Sequence, residues 1–239
     1  MNGNGPEVPA GHRPVRSFVR REGRITSSQR RALDELAAHY RWPLDGTSPA
    51  GITGRHAPLC LEIGCGDGEN VLASARAAPA MDFIACEVHG PGVGHLLNRI
   101  EVEGLRNLRV AQCDVYDVLR PLPTGALSAV SVFFPDPWPK KRHHKRRLLQ
   151  AAFLAEIARV LAREGRLFVA TDWEEYAVEI GQLIAGTAGW LNLAGEDRRA
   201  PRLKSRILTK FERKAIREGR AVCDFVFARR QVPVGLERS

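Results

Sequence analysis

Apolar runs and amphipathic stretches alternate along most of the chain. Five apolar runs, near residues 58–63, 82–87, 107–112, 128–134 and 166–171, predict strands, and a further run from Val222 to Ala228 predicts a last one. Apolar residues at helical spacing predict helices near residues 69–77, 91–103, 145–162, 173–187 and 210–218. Strands that alternate with helices predict an α/β fold, a doubly wound and mostly parallel sheet with helices on both faces.

The segment ahead of the first predicted strand has its own pattern. Residues 1–12 are rich in Gly, Pro and Asn and are expected to be disordered, and a basic arm begins at Arg13. Thr26-Ser-Ser-Gln29 has the spacing of a capping box, so a helix is predicted over 27–39, with an apolar stripe that docks it on the domain. We therefore divide the chain into a disordered terminus (1–12), a basic arm with helix and linker (13–56), one domain (57–232) and a tail (233–239).

The charge is basic and unevenly distributed. The 239 residues carry a formal net charge of +9, which points to a polyanionic partner. Of the 36 Lys and Arg residues, 23 lie within residues 11–31, 138–147 and 198–220. Residues 55–137 hold six cations against ten acids, so most of the basic charge lies outside the part that has the pattern of a catalytic core.

The cysteine and hydropathy patterns exclude several classes of protein. The cysteines are odd in number, lie mostly in apolar runs and form no CxxC pair, so we interpret them as reduced core residues and not as disulfides or zinc ligands. They are Cys60, Cys65, Cys86, Cys113 and Cys223. No signal-peptide pattern and no run of membrane-spanning length is found, so we predict a cytoplasmic protein with no membrane partner. The sequence favours neither a monomer nor a homodimer.

The most distinctive stretch is Phe133 to Arg147, where an apolar run ends in Pro-Asp-Pro-Trp-Pro and opens into a dense basic cluster. Prolines fix their own φ and favour extended geometry in the residue before them. Asp136 and Trp138 are therefore predicted on a near-extended backbone, with both side chains facing one way. A proline-rich loop with a buried Trp138 and solvated charges would explain the turn as well, but the cations that follow favour a binding function.

A second candidate site is the turn Leu61-Glu-Ile-Gly-Cys-Gly-Asp-Gly68, which ends the first predicted strand. In a doubly wound sheet a nucleotide-like ligand meets the strand ends at this turn, and Gly64 and Gly66 allow the backbone to approach it closely. The dinucleotide pattern GxGxxG would need glycine where the chain has Glu69, at a helix start where a pyrophosphate would lie. A phosphate ligand is therefore disfavoured.

Acidic residues stand at the ends of four predicted strands, namely Glu62, Glu87, Asp114 and Asp136. Carboxylates so placed suit a cationic ligand with a ribose diol and an adenine amine, and S-adenosylmethionine is such a ligand. Glu87 can accept hydrogen bonds from both ribose hydroxyls, and Asp114 can accept one from the adenine amine. Any one of these acids alone is more simply explained as a turn or cap residue, but four in register favour the ligand site.

Five strings of residues together resemble the bacterial tRNA (guanine-N7-)-methyltransferases of the TrmB type, over about residues 13 to 229. They are Arg16-Ser-Phe-Val-Arg-Arg, Leu61-Glu-Ile-Gly-Cys-Gly, Phe134-Pro-Asp-Pro-Trp with Arg142-His-His-Lys-Arg-Arg147, Thr171-Asp172 and Thr209-Lys-Phe-Glu212. The glycine turn alone indicates only the class I methyltransferase superfamily. The Phe-Pro-Asp-Pro-Trp string with its basic tail is specific.

The resemblance implies a Rossmann-like sheet of seven strands with an antiparallel last strand. It also implies methyl transfer from S-adenosylmethionine to N7 of the variable-loop guanosine, position 46, of tRNA, with Asp136 at the reaction centre. The implied donor contacts are Glu62, Glu87, Asp114 and Asp136, and the implied tRNA contacts are Lys140, Asp172, Thr209, Lys210, Phe211 and Glu212. The chain departs from its relatives at Pro139, where a polar residue or histidine is common, and this bears on the direction of Lys140.

Several of these residues also have a simpler structural explanation. The cations after Trp138 would lay an RNA backbone beside the donor, or would form a solvated helix face. Asp172 suits a helix N-cap as well as a guanine contact. Thr209 to Glu212 has capping-box spacing, although the flanking tRNA-binding segment, 198–220, is too basic for a cap alone. His143 and His144 are adjacent and so would not share a helix face as metal ligands, which favours phosphate contact or solvation.

For methylation at guanine N7, the main task of the protein is to position the guanine against the methyl donor. N7 carries an in-plane lone pair, so no base has to remove a proton first, and no metal or catalytic nucleophile is required. A carboxylate such as Asp136 can stabilise the positive charge that shifts to the ring. Two alternatives stay open. One is methylation of an exocyclic base amine, because an Asp-Pro-Pro-Tyr-like turn serves such enzymes, and the other is RNA binding without catalysis, which Glu87 and Asp114 disfavour.

Overall fold

The computed structural model describes residues 24–195, 199–204 and 206–230. The predicted disordered terminus, the basic arm up to residue 23 and the tail lie outside the described residues.

One sheet of seven strands organises the domain, in the order β3-β2-β1-β4-β5-β7-β6. The strands are β1 Leu59–Ile63, β2 Asp82–Cys86, β3 Leu108–Ala111, β4 Leu127–Phe133, β5 Leu161–Thr171, β6 Trp190–Asn192 and β7 Cys223–Arg229. β1 to β5 are parallel, and β7 pairs antiparallel with both β5 and β6. The predicted doubly wound α/β fold with an antiparallel last strand is confirmed.

Helices lie between the strands and cover both faces of the sheet. They are α1 Ser27–Arg31, α2 Ala37–Tyr40, α3 Pro49–Thr53, α4 Glu69–Ala77, α5 Gly90–Glu103, α6 Val115–Leu119, α7 Ala151–Val160, α8 Glu174–Gly186 and α9 Lys210–Arg217. A π-helical turn, Ala32–Leu36, joins α1 to α2, and a 3-10 helix, Lys141–Arg146, precedes α7. Two buried clusters form the core, and the larger contains Trp42, Phe153 and Phe227.

The N-terminal helix is docked on the domain as its apolar stripe predicts. The capping box is present, since the Gln29 amide donates to Thr26 Oγ1 at 3.3 Å and the Thr26 amide donates to Gln29 Oε1 at 2.9 Å. Beyond the helix, Trp42 is 2% exposed and its amide donates to the Val110 carbonyl at 2.8 Å. The chain is therefore attached to the sheet just ahead of the predicted linker, and the linker contains α3, where Ser48 caps a helix that begins at Pro49.

The main error in the predicted elements concerns the helix over 145–162. The helix begins at Ala151 and ends at Val160, and Leu161 is the first residue of β5, which is longer than predicted. Residues ahead of it leave helical geometry, with Arg147 at ψ 136° and Gln150 at φ −142°. The apolar pattern of Leu148 and Leu149 continues the helical spacing, but these residues pack on the core from an irregular segment ahead of the helix.

Candidate active site

A cavity of about 260 Å³ opens at the carboxyl ends of β1, β2 and β4. This is the point of the sheet where the strand order reverses, from β1 outward to β2 on one side and to β4 on the other. The residues that line the cavity are Ile63, Gly64, Gly66, Cys86, Glu87, Val88, Cys113, Val115, Val132, Phe133, Phe134, Pro135, Asp136, Leu148 and Phe211. Both stretches that stand out in the sequence, the glycine turn and the Pro-Asp-Pro turn, thus meet in one cavity.

The glycine turn forms one wall of this cavity. Gly64 and Gly66 have φ angles of 69° and 61°, which residues with a side chain rarely adopt. The turn is also tightly backed by α5, because a Cβ at Gly92 would lie 2.5 Å from the Gly66 carbonyl oxygen. The backbone can take this path only with glycine at these positions.

Glu87 is the acidic residue most firmly fixed at the cavity. Its side chain accepts from the amides of Gly66 at 2.8 Å, Val88 at 2.7 Å and His89 at 2.9 Å. A carboxylate offers about four lone-pair positions, so these three bonds leave roughly one for a ligand. A ribose diol would therefore have to share or displace one of the amide bonds to engage Glu87 through both hydroxyls.

Glu62 does not line the cavity. The side chain is buried and accepts from Asn70 Nδ2 at 2.7 Å, and burial raises the pKa of its carboxyl group to about 7. Asn70 Oδ1 in turn accepts from the Ile207 amide at 3.2 Å. Glu62 therefore joins the glycine turn to the segment that precedes α9, and its role as a donor contact stays a prediction.

Asp114 lies beside the cavity between two residues that line it, Cys113 and Val115. It is the N-cap of α6 and accepts from the Tyr116 amide at 3.0 Å. Its carboxylate is otherwise available, so the cap and the predicted adenine contact are compatible.

The backbone of the Pro-Asp-Pro turn is not extended, and this part of the prediction is wrong. Phe134 and Trp138, each followed by proline, have φ angles of 53° and 45°. Asp136 faces the cavity, whereas Trp138 packs edge-on against His143 at 5.7 Å and beneath the guanidinium of Arg146 at 5.1 Å. The two side chains therefore diverge, because the left-handed residues on either side of Asp136 turn the chain twice.

The basic cluster predicted to bind a polyanion is only partly exposed. Lys140, Lys141, Arg142 and Lys145 are exposed. Arg147 is 2% exposed, donates to the Pro137 carbonyl at 2.8 Å and forms an ion pair with Glu179 of α8. Arg147 thus ties the turn to α8, which corrects its assignment to the RNA-binding cations.

The segment that carries the predicted tRNA contacts lies against the glycine turn. Lys210 Nζ pairs with Asp67 at 2.6 Å, and Arg213 pairs with Glu69 at 3.1 Å. Phe211 is half exposed, and its ring lies 3.5 Å from where a Cβ of Gly66 would be. Among the described residues of this segment, Phe211 is the one that lines the cavity.

Thr209 and Glu212 act as structural residues in the described chain. Thr209 is the N-cap of α9 and accepts from the Glu212 amide at 3.4 Å, as the capping-box spacing predicts. The Glu212 side chain does not complete the box but accepts from Arg202 at 2.9 and 3.0 Å and from Arg206 at 2.6 and 3.1 Å. Glu212 is 3% exposed, so its predicted tRNA contact would require a change in this pairing.

Two roles were predicted for Asp172, a helix N-cap and a guanine contact. The structure rules out the first, because Asp172 is not the N-cap of α8. The cap residue is Trp173, without a side-chain bond, and the Trp173 amide bonds to Thr171 Oγ1 at 3.2 Å. Asp172 instead pairs with Arg220 at 2.7 Å. Its predicted contact with tRNA stays a prediction, as does that of Lys140.

Two buried residues of this region were missed. Arg206 is 2% exposed and bonds Asp224 of β7 as well as Glu212. Arg206 lies among ten cations in 198–220 and nothing in the sequence separates it from the exposed ones. Asp224 had a sequence signature, since it is an acid inside the apolar run that forms β7.

Among the described residues, no group of three or more His, Cys, Asp or Glu residues could hold a metal ion. In the same part of the chain, no helix is both long enough and apolar enough to cross a membrane.

Solved structures and a family model identify the fold. The model of the family described as "Putative methyltransferase" matches residues 56–225. The 16S rRNA methyltransferase KamB is similar with a TM-score of 0.56 and 18% identity, over 77% of this chain and 94% of that one. A 16S rRNA (adenine(1408)-N(1))-methyltransferase from Catenulisporales acidiphilia, solved with cosubstrate SAM, is also similar with a TM-score of 0.56 and 18% identity, over 82% and 96%. Fold and site together define a Rossmann-like methyltransferase.

Curated relatives narrow this class. The tRNA (guanine-N(7)-)-methyltransferase of Nitrosococcus oceani is 47% identical over 221 residues, which are 91% of this chain and 92% of the relative. That of Methylococcus capsulatus is 47% identical over 219 residues, 91% and 95% of the two chains. The chain belongs to the family of the tRNA (guanine-N(7)-)-methyltransferases.

Proposed function

We propose that this protein transfers a methyl group from S-adenosylmethionine to N7 of the variable-loop guanosine, position 46, of tRNA, in the cytoplasm. The observation that carries the proposal is the single cavity in which the glycine turn, Glu87, Asp136 and Phe211 meet, beside the exposed cations of the 3-10 helix. Family membership supports the same reaction.

The residues around the cavity suit the methyl donor. Glu87 offers a fixed carboxylate for the ribose hydroxyls, and Gly64 and Gly66, which line the cavity without side chains, let a ligand approach the turn closely. Val88, Val115 and Leu148 offer apolar surface to the adenine ring. When bound, the donor supplies an electrophilic methyl group on a sulfonium.

Asp136 and Phe211 both line the cavity, and we assign them to the guanine. The N7 lone pair needs no general base, so the protein's task is to hold N7 in line with the methyl group and to exclude water. Asp136 places negative charge where the ring becomes cationic. Phe211 offers a half-exposed aromatic face on which a base can stack.

The test is to locate the methyl group. Unmodified tRNA incubated with protein and S-adenosylmethionine should gain one site, in the variable loop, that is cleaved after borohydride and aniline treatment, because methylation at N7 makes the base labile. Asp136→Asn keeps the shape of the side chain and removes its charge, and should lower the rate on the order of 10²-fold if the carboxylate stabilises the developing cation.

Two other outcomes would contradict the proposal. Methyl incorporation without an aniline-sensitive site would favour methylation of an exocyclic amine. A calorimetric titration that shows tRNA binding but no binding of S-adenosylmethionine would favour an RNA-binding protein without catalysis. Parent-like activity of Asp136→Asn would restrict Asp136 to positioning.

A further inference from the structure

A buried network of charges lies behind the cavity and connects α9, β7 and the end of β4. Arg206 Nη1 and Nη2 donate to the two carboxylate oxygens of Glu212 at 2.6 and 3.1 Å. Arg206 Nε and Nη2 donate to Asp224 at 3.1 and 3.0 Å. Its guanidinium also lies over the rings of Phe133 and Phe134, at 5.6 and 5.4 Å from their centres. One side chain thus contacts α9, β7 and the end of β4.

Each residue that Arg206 contacts lines the cavity or is joined to a residue that does. Glu212 follows Phe211, and both Phe133 and Phe134 line the cavity themselves. Asp224 is the register partner of Ala170, whose carbonyl accepts from the Phe134 amide at 2.7 Å. The strained turn that carries Asp136 and the helix that carries Phe211 are therefore fixed to one another through this guanidinium.

The charges of the network are balanced and depend on arginine. Arg202 and Arg206 face Glu212 and Asp224, so two cations meet two anions. Burial raises the pKa of Asp224 although Arg206 opposes the shift. Burial also acts to raise the pKa of Glu212, but hydrogen bonds from Arg202 and the charge of Arg206 outweigh it, and the pKa is lowered. A buried ion pair adds little net stability compared with apolar packing, and its best-attested use is to fix one arrangement.

We propose that Arg206 is a positioning residue for methyl transfer, one that sets Phe211 and the Asp136 turn at the geometry the guanine requires. It acts through Glu212, Asp224 and the two phenylalanines and does not itself touch either substrate. The inference rests on the proposed function and extends it to a residue outside the cavity lining.

The test variant is Arg206→Met/Asp224→Asn, which removes one cation and one anion and leaves Glu212 paired with Arg202. Methionine keeps apolar volume over the phenylalanine rings. We expect kcat for tRNA methylation to fall on the order of 10²-fold, the typical effect of a small misplacement of reacting groups. The dissociation constant of S-adenosylmethionine, measured by calorimetry without tRNA, should match that of the parent, because Glu87 is held by the amides of Gly66, Val88 and His89 and not by Arg206 or Asp224.

Two further variants complete the experiment. Arg55→Met/Asp82→Asn is the control, because it also removes an Arg–Asp ion pair with a buried aspartate. This pair has a 2.6 Å contact and lies at the amino-terminal end of β2, so the variant should keep the kcat of the parent. Arg206→Lys keeps the charge but replaces a planar fork by a single ammonium, and should lose most of the activity.

Parent kcat in Arg206→Met/Asp224→Asn would overturn the positioning role while leaving the proposed function intact. Loss of S-adenosylmethionine binding together with activity would also overturn it, since the network would then serve folding alone. A parent protein that gives no N7 product would instead refute the proposed function itself.

Discussion

At the scale of single residues, acids with the same position in the pattern have different surroundings. Glu62 and Asp136 both stand at strand ends, yet Glu62 is buried against Asn70 whereas Asp136 is exposed at the cavity. The position of an acid along a strand predicts which end of the sheet it lies at, but the direction of its side chain depends on the backbone angles. In the Pro-Asp-Pro turn, contacts from distant parts of the chain stabilise those angles.

The buried carboxyl group of Glu62 leads to a prediction about pH. Because burial raises its pKa to about 7, the folded protein binds a proton that the unfolded chain, with a pKa near 4.5, has released. Stability should therefore fall as pH rises from about 4.5 through 7, since the folded state binds more protons in this range. Glu62→Gln is neutral at every pH and should not show this loss.

Thermal unfolding of the parent and of Glu62→Gln at pH 5.5 and pH 8 measures how the difference in stability between the two proteins changes with pH. The variant should gain on the parent at the higher pH, while its amide oxygen can still accept from Asn70. A constant difference between the two proteins across this range would show that Glu62 does not titrate between them.

At the scale of elements, the sequence predicted the central strands and the helix over 69–77 well, because their apolar residues repeat with a clear period. It did not find β6, which has three residues, or the one-turn helices α3 and α6, since such short elements contain too few residues for a period to show. The start of α7 was misplaced because residues 147–150 leave helical geometry, where Arg147 donates to the Pro137 carbonyl and pairs with Glu179. Long-range contacts of this kind leave no periodic trace.

The packing of α5 on the glycine turn gives a prediction at this scale. In Gly92→Ala the new Cβ would approach the Gly66 carbonyl oxygen to 2.5 Å and push the turn away from Glu87, which binds the Gly66 amide. Overpacking of this kind costs about 1–3 kcal/mol, which we expect to be divided between fold stability and affinity for S-adenosylmethionine.

Gly181→Ala is the matched control, because Gly181 lies within α8 and its added Cβ would meet nothing within 4 Å beyond its chain neighbours and the nearby backbone of its own helix. It should be neutral or stabilising by about 0.5–1 kcal/mol, with unchanged donor affinity. Calorimetric titration and thermal unfolding of both variants make the comparison. Parent-like donor affinity and stability in Gly92→Ala would mean that the helix and turn separate easily.

At the scale of the whole molecule, the acidic cavity and the basic surface are neighbours but separate features. The exposed cations Lys140 to Arg142 follow closely in the chain on Asp136, which lines the cavity, so we expect a polyanion bound to them to lie near the cavity. Such binding should depend steeply on salt, by roughly 0.7–0.9 log units of affinity per phosphate contact for each log unit of salt.

Lys141→Glu/Arg142→Glu should reduce this slope and weaken tRNA binding, because both side chains are exposed. Binding measured between low and moderate salt gives the slope, and Arg120→Glu, an exposed cation between α6 and β4, is the control. Donor affinity should be unaffected in both. A parent slope near zero would show that the basic surface does not bind phosphates.

The left-handed backbone at Phe134 and Trp138 limits whether the Pro-Asp-Pro-Trp string can keep its conformation outside this fold. A bulky residue with such a backbone angle destabilises the fold by on the order of 1–3 kcal/mol. It keeps this conformation only where contacts from the surrounding structure stabilise it. That structure is the Ala170 carbonyl that binds the Phe134 amide and the guanidiniums of Arg206 and Arg146 above the two rings. Grafted onto another scaffold, or excised as a peptide, the same string should relax to another conformation and lose its site.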